Sequence, residues 1–579
     1  MAIFTHRLLM QRRPRAGEKN NVEQHLENTR SRLFFIMCAF GAVFFLITLR
    51  LFDLAVWHGK VTGVATQNSN KARVVGRAEI TDRNGQLLAV NLATASLYAR
   101  PALIPDVQEA INHLARALPE LSPVELKRRL TSDRSFVWIK RSLTPKEQQA
   151  VNQKGIPGLF YTSEERRVYP HGRLFSHILG YVDVDSQGIS GVEKSFDDYL
   201  QVPSDATEAQ VPLELSLDLR VQSVVHEELE KKMKTFSAVG ASGIVMDVNT
   251  GEIIAMVSLP DFDPHSPAQS SAREKFNSNS LGVYEVGSVL KTMTMAMALE
   301  MGKAKMGDHY DVTDPIHIAN FTIRDYHPKK GALSFPEIYI HSSNIGTARI
   351  AMEIGEDSQK RFLKDWGMLD QLALELPEKA SPLYPQNWNK ISMLTISYGH
   401  GIAVTPVHVV QATAAITNGG IFHNATLLKQ KKIPEGRRVI ETHTAKDIRK
   451  LMRFVVKYGT GKQADVFGYM VGGKTGTADK PTAGRYDTSA LVSSFVGVFP
   501  MQEPRYALMV MLDEPKGTKE TAGFATGGAT AAPAVRDIIS RIAPILNIIP
   551  VDEREPELQR EFELKQMKRE DEIANFQSL

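Results

Sequence analysis

The distribution of apolar residues changes character several times along this chain. Leu33 to Leu49 (LFFIMCAFGAVFFLITL) is an uncharged run of 17 residues between Arg32 and Arg50. That length is at the lower limit for a membrane-spanning helix, and an arginine that snorkels lets Leu51 and Phe52 extend the span. A cleaved signal peptide is the competing reading, but 32 residues precede the run and no small-x-small cleavage site follows it in Arg50 to Trp57. Residues 1–32 carry seven Lys/Arg against three Asp/Glu, so the positive-inside rule puts this basic tail in the cytoplasm. The pattern therefore predicts a single-pass anchor over 33–52 with everything after it outside.

Beyond the anchor, strand-like and helical patterns mix. Asn84-Gly85 between the apolar runs at Ile80 and Leu87–Val90 predicts a hairpin with a type I′ turn. Residues 101–156 read as helical, with amphipathic stretches at Asp106–Leu118 and Ser122–Leu130, the second opened by a capping-box signature at Ser122-Pro-Val-Glu125. A charged helix over Val221–Phe236 suggests a domain boundary. It leads into two apolar strands around Asn249-Thr-Gly251, an antiparallel ribbon within Ala241–Val257. A second strand pair, Leu491–Phe499 and Arg505–Leu512, flanks Pro500–Pro504. Strands at both ends with helices between them imply an antiparallel sheet carrying an inserted helical lobe, an α+β fold. No repeat of fixed period is present.

Composition adds limits. A chain of 579 residues with 43% hydrophobic and 23% charged residues is globular in character and long enough for two or more domains. The formal charge of +4 is spread thinly, with no basic stripe interleaved with aromatics, which disfavours nucleic acid as a partner. Residues 551–579 hold nine Asp/Glu against five Lys/Arg and predict a solvated helix or a disordered tail. The one cysteine, Cys38, lies in the apolar run, so the exported part needs no disulfide and has no cysteine-based metal site.

Three short strings carry the chemistry: Ser288-Val-Leu-Lys291, Ser342-Ser-Asn344 and Lys474-Thr475-Gly476-Thr477. The first is the only S-x-x-K in the chain, and it opens a helical run, Val289–Leu299. A serine hydroxyl needs a base, and a lysine serves when burial or a neighbouring cation lowers its pKa. Positions i and i+3 share a helix face, which predicts Lys291 beneath the Ser288 hydroxyl. Ser342 could relay a proton, and Asn344 could fix Lys291 and a substrate amide. Taken alone, each string also has a bland reading, as a helix cap or a solvated lysine. Lys474 would bring positive charge to a substrate carboxylate, Thr475 and Thr477 hydroxyls, and the Thr477 N–H could join that of Ser288 in an oxyanion hole, with Gly476 permitting close approach on an open strand edge. Gly468–Thr475 matches a phosphate-loop pattern as letters, but the polar stretch after Lys474 opens no helix.

All three strings in this order resemble the penicillin-binding proteins, and nearly the whole exported length resembles the class B, monofunctional transpeptidases. Arg77-Ala78-Glu-Ile80-Thr-Asp82-Arg83-Asn84-Gly85 is similar to that family's amino-proximal signature, with Ala78 where glycine is usual. Arg167-Val-Tyr169-Pro170-His-Gly172, His177–Tyr181 and Gly188-x-x-Gly191-x-Glu193 are similar to its pedestal motifs. Ser342–Gly346, Ser397–Pro406 and Gly472–Ala478 look most like the division-type, septal member. His400 reads as structural.

The resemblance implies a penicillin-binding transpeptidase domain over 236–550 on an elongated mixed pedestal, a non-catalytic dimerisation or interaction domain, over 53–235, with the charged tail at 551–579. It implies Ser288 attack on the penultimate D-Ala carbonyl of a peptidoglycan stem peptide, release of the terminal D-Ala, and resolution by an amine of a neighbouring stem. The site would comprise Ser288, Lys291, Ser342, Asn344 and Lys474, with Thr475, Gly476 and Thr477 binding substrate, and would need no cofactor or metal. β-Lactams would acylate the same serine. The implied location is the inner membrane with the catalytic domain periplasmic, and the implied partners are a membrane glycan-strand polymerase and other division proteins. An elongation-type enzyme and a non-catalytic penicillin-binding scaffold are the alternatives. A β-lactamase would need a base aimed at a deacylating water, and none is identifiable; a penicillin sensor would need a cytoplasmic signalling domain, which 32 residues do not offer.

Overall fold

The computed structural model describes residues 37–49, 76–202, 211–319, 321–482 and 485–562. It divides into two units, Met1–Arg73 and Val74–Leu579. In the first unit, residues 37–49 form a helix on which Cys38 is exposed. Among the described residues no helix is long and apolar enough to cross a membrane. The basic tail and the two ends of the expected anchor, 33–36 and 50–52, lie outside the described residues.

The second unit begins with a sheet built on one long strand, β1 (Leu87–Ala99), which pairs with β2 (Val137–Leu143) and β3 (Leu159–Val168). Leu97 and Ala99 of β1 and Ile139 of β2 share a core with Ala110, Ile111 and Leu114 of α1 (Val107–Ala117) and Leu126 and Leu130 of α2 (Pro123–Leu130). Both helices start where the sequence predicts: Asp106 and Ser122 accept the N–H of Glu109 and Glu125. Strand β2 corrects the all-helical reading of 101–156. Its β-branched and aromatic residues fit a pleated surface, and the long β1 offers them a partner that no local pattern reveals. The type I′ turn is also corrected. Only Gly85 has positive φ, +80°, and the Asp82 carboxylate closes a longer turn by accepting from the N–H of Asn84 and Gln86 at 2.7 and 2.9 Å.

Three pedestal strings converge on one buried ion network. Arg77 Nε donates to Glu193 Oε2 at 2.6 Å, Arg167 Nε donates to Glu193 Oε1 at 2.7 Å, and Arg77 Nη1 reaches Asp197 at 2.7 Å. Gly180 and Gly191 allow their loops to touch, since a Cβ on Gly180 would lie 2.0 Å from Ser190 O. Ala78 is buried and its carbonyl accepts from Arg167 Nη1 at 2.9 Å, so the extra methyl leaves this network intact.

Next comes α3 (Leu219–Thr235), the predicted charged helix, which lies on a five-stranded antiparallel sheet. The sheet contains β4 (Gly240–Asp247), β5 (Ile253–Leu259), β6 (Gly472–Thr482), β7 (Arg485–Phe499) and β8 (Tyr506–Asp513), in the order β6-β7-β8-β4-β5. Alternation sorts the strand residues. Phe495, Leu508 and Val510 face α3 and the helix Ala531–Ile545, while Val496, Ala507 and Met509 face the inserted helices. With both faces covered, the strands read as apolar runs rather than as half-polar ones. Strands β4 and β8, remote in sequence, pair from Asp247 with Tyr506 to Gly240 with Asp513 and so close one sheet, as predicted from the two ribbons.

The charged tail forms a helix, Pro556–Glu561, with no buried residue, as the solvated reading expects, but the residues on either side of it are docked. Glu553 Oε2 accepts from Arg453 Nη2 at 2.6 Å, Gly468 N donates to Glu553 Oε1 at 2.9 Å, and Phe562 joins the main core. Charge counting misses this because a buried arginine, 2% exposed here, recruits acidic partners from elsewhere in the chain. Residues 563–579 lie outside the described residues.

Candidate active site

The Ser288 string starts as a 3-10 turn, Gly287–Leu290, and becomes α4 (Lys291–Glu300) at the lysine. Gly287 has φ of +55°, which brings the chain in tightly. Its carbonyl is packed so closely that a Cβ on Gly399 would lie 1.8 Å from it. The Ser397–Pro406 string therefore backs the serine turn, and Gly401 N donates to Glu285 at 2.8 Å. A cavity of about 530 Å³, lined in part by Tyr284, Glu285, Gly401 and Asp479, opens beside the turn.

The second string precedes α5 (Asn344–Ile354). Ser342 adopts φ of +60°, an uncommon conformation for a residue with a side chain. Lys291 donates from Nζ to the Ser342 carbonyl, to Asn344 Oδ1 at 2.7 Å and to Ser342 Oγ at 3.1 Å. The third string lies on β6, an edge strand, with Lys474 pointing inward, fully buried, and donating to the same Ser342 Oγ at 3.1 Å. One hydroxyl thus bridges two lysines. Burial drives the Lys291 ammonium well below its usual range, the Lys474 charge adds to this, and Asp325 opposes it. Burial alone brings Lys474 to about 7. Burial and the neighbouring Lys474 charge thus both favour the neutral Lys291 amine.

Strand β6 also abuts the serine turn. A Cβ on Gly287 would lie 2.6 Å from Thr477 O and 3.5 Å from Thr477 N, so the Thr477 backbone lies against the turn residue that precedes Ser288. Gly476 permits this approach: a Cβ there would meet Val286 O at 2.4 Å. A strand over Gly472–Thr482, in register with β7 through the Lys474–Thr477 string, also removes the phosphate-loop reading.

Three details differ from the sequence reading. Among the described residues, no hydrogen bond joins Lys291 to the Ser288 hydroxyl, because the 342–344 segment holds the amine; such bonds commonly tighten only when substrate is bound. The Thr477 hydroxyl accepts from Gly527 N at 3.0 Å and the Thr475 hydroxyl pairs with Thr460 at 2.7 Å, so both have structural partners. Asp325 was not identifiable from sequence, since nothing in Arg324-Asp325-Tyr326 marks it. It accepts from Ser343 Oγ at 2.7 Å and from the N–H of Asn344 and Ile345 at 2.5 and 3.0 Å.

The penicillin-binding protein transpeptidase domain family matches residues 241–540, and the penicillin-binding protein dimerisation domain family matches 72–211. The chain is 37% identical over 535 residues to the probable peptidoglycan D,D-transpeptidase FtsI of Caulobacter vibrioides, covering 90% of each. It is 30% identical to the probable D,D-transpeptidase PenA of Neisseria gonorrhoeae, over 93% of this chain and 97% of that one, and 29% identical to FtsI of Escherichia coli K12, over 86% and 88%. The crystal structure of penicillin-binding protein 3 from Mycobacterium tuberculosis in complex with aztreonam shares the fold, with a TM-score of 0.66 at 22% identity over 83% of this chain and 98% of that one. The chain belongs to the penicillin-binding protein transpeptidases, in their FtsI-like, class B group.

Proposed function

We propose that this protein is a serine-type peptidoglycan D,D-transpeptidase that cross-links stem peptides at the division septum. The observation that carries the catalytic reading is the placement of the buried Lys291 amine among the Ser342 carbonyl, Ser342 Oγ and Asn344 Oδ1, one turn from Ser288. A neutral amine has two N–H bonds for three contacts, with the Ser342 carbonyl, Asn344 Oδ1 and Ser342 Oγ, so its lone pair meets a hydroxyl and can take up a hydroxyl proton. Ser288 lies one turn before it. Ser288 Oγ attacks the penultimate D-Ala carbonyl as its proton passes to Lys291. The tetrahedral oxyanion is met by the N–H groups of Ser288 and Thr477. Collapse breaks the peptide bond, and the leaving amine of the terminal D-Ala takes a proton through Ser342, which contacts both lysines. A second stem's amine then attacks the acyl-enzyme ester and loses a proton to the Ser342–Lys291 relay, which returns one to Ser288 Oγ as the ester C–O bond breaks.

Lys474, Thr475, Gly476 and Thr477 hold the donor stem on the open edge of β6 by strand addition and by charge. β-Lactams acylate Ser288 by the same geometry. In this reading the transpeptidase domain spans 236–550, on a pedestal over 53–235 that serves interaction, and a helix over 33–52 anchors the chain in the inner membrane with the catalytic domain periplasmic. The 17-residue apolar run and its basic flank support the anchor. A membrane glycan-strand polymerase and other division proteins are the proposed partners.

The test is incubation of the full chain with a D-Ala-D-Ala stem peptide and an amine acceptor. Mass spectrometry should find a product that has lost one D-Ala and gained the acceptor; release of D-Ala with hydrolysis alone would contradict transpeptidation.

A further inference from the structure

We propose that Asp325 is a positioning residue for the transpeptidase reaction, holding Asn344 so that Asn344 holds the Lys291 amine. The proposal rests on the reading of Lys291 as the base. Asp325 lies in the connection between the strands Phe321–Ile323 and Ala332–Ser334, outside all three catalytic strings. Its Oδ1 accepts from the N–H groups of Asn344 and Ile345, and its Oδ2 accepts from Ser343 Oγ. Ser343 Oγ in turn accepts from Gly346 N at 3.0 Å. The first three N–H groups of α5 are thereby all satisfied, two of them by a residue about 20 positions upstream. The adjoining Arg324 carbonyl accepts from Asn344 Nδ2 at 3.0 Å, which fixes the amide so that Oδ1 points at Lys291.

This clamp follows directly on Ser342, whose positive φ persists only where the surroundings impose it. Asp325 supplies that constraint from outside the segment. It also sets charge. The charged groups that act on Lys291 are Lys474 from β6 and Asp325 from its loop, and the Lys291 charge in turn bears on His400 in the segment behind the serine turn. Among these Asp325 is the anion, and it opposes the lowering of the ammonium by burial and by Lys474.

The experiment follows acylation of the full chain by a fluorescent penicillin between about pH 5 and about pH 9, in wild type, Asp325→Asn, Asp325→Ala and Ser288→Ala. Asn at 325 keeps an oxygen for the two backbone donors and an amide for Ser343, so shape is retained and charge is lost. Without that charge Lys291 stays neutral to lower pH. The acid limb of Asp325→Asn should therefore move down by about half a unit or more, with a plateau within about threefold of wild type. Asp325→Ala should lose about tenfold or more from the plateau because Asn344 is released. An acid limb in Asp325→Asn that coincides with wild type, or an Asp325→Ala plateau equal to wild type, overturns the proposal. Loss of label in Ser288→Ala together with an unmoved limb rejects the role of Asp325 alone, whereas labelling of Ser288→Ala would reject the reading of the site beneath it.

Discussion

Lys474 shows how much stability the site gives up. Its amine is fully buried and brought by burial to about 7, whereas in an unfolded chain a lysine titrates near 10.4. Between those values the unfolded chain holds the extra proton, so the residue's destabilising contribution grows as pH falls from about 10 toward 7 and is constant below. Lys474→Met should therefore raise the melting temperature near neutral pH, by a gain on the order of a few kcal/mol that shrinks as pH approaches 10, while abolishing acylation. A melting temperature unchanged or lowered at neutral pH would contradict the burial argument. The sequence made Lys291, Ser342, Asn344 and Lys474 legible because short strings bring their own local geometry. Asp325 was illegible because its role depends on a loop folding back onto α5, which leaves no local mark.

At the level of elements, contact between β6 and the serine turn decides whether the site assembles. Gly476→Ala would place a Cβ 2.4 Å from Val286 O and 2.5 Å from Ser494 Oγ, pushing the edge strand away from Ser288. We predict that acylation slows by about 100-fold with the circular dichroism spectrum unchanged, since displacement of about 1 Å suffices for such a loss; a rate equal to wild type would contradict it. Strands with their own apolar runs, such as β4 and β5, were readable. Strand β2 was not, because seven residues between helical stretches take their conformation from β1. The docked segment to Phe562 was hidden for the related reason that its partners, Arg453 and Gly468, are remote in sequence.

For the whole molecule, the pedestal sequence strings are structural. Glu193 has 0% exposure and serves both Arg77 and Arg167, so Glu193→Gln leaves two buried guanidiniums without a full counter-charge. We predict a loss of about 3–5 kcal/mol from the amino-terminal part of Val74–Leu579, seen as an earlier denaturation transition, while the acylation rate of protein still folded is unchanged. A superimposable denaturation curve would contradict this. If Ser288 is the nucleophile, a fluorescent penicillin followed over hours should leave a long-lived adduct on wild type and none on Ser288→Ala, with an unchanged melting curve. Label retained by the folded variant, or a wild-type adduct that disappears within minutes, would contradict it.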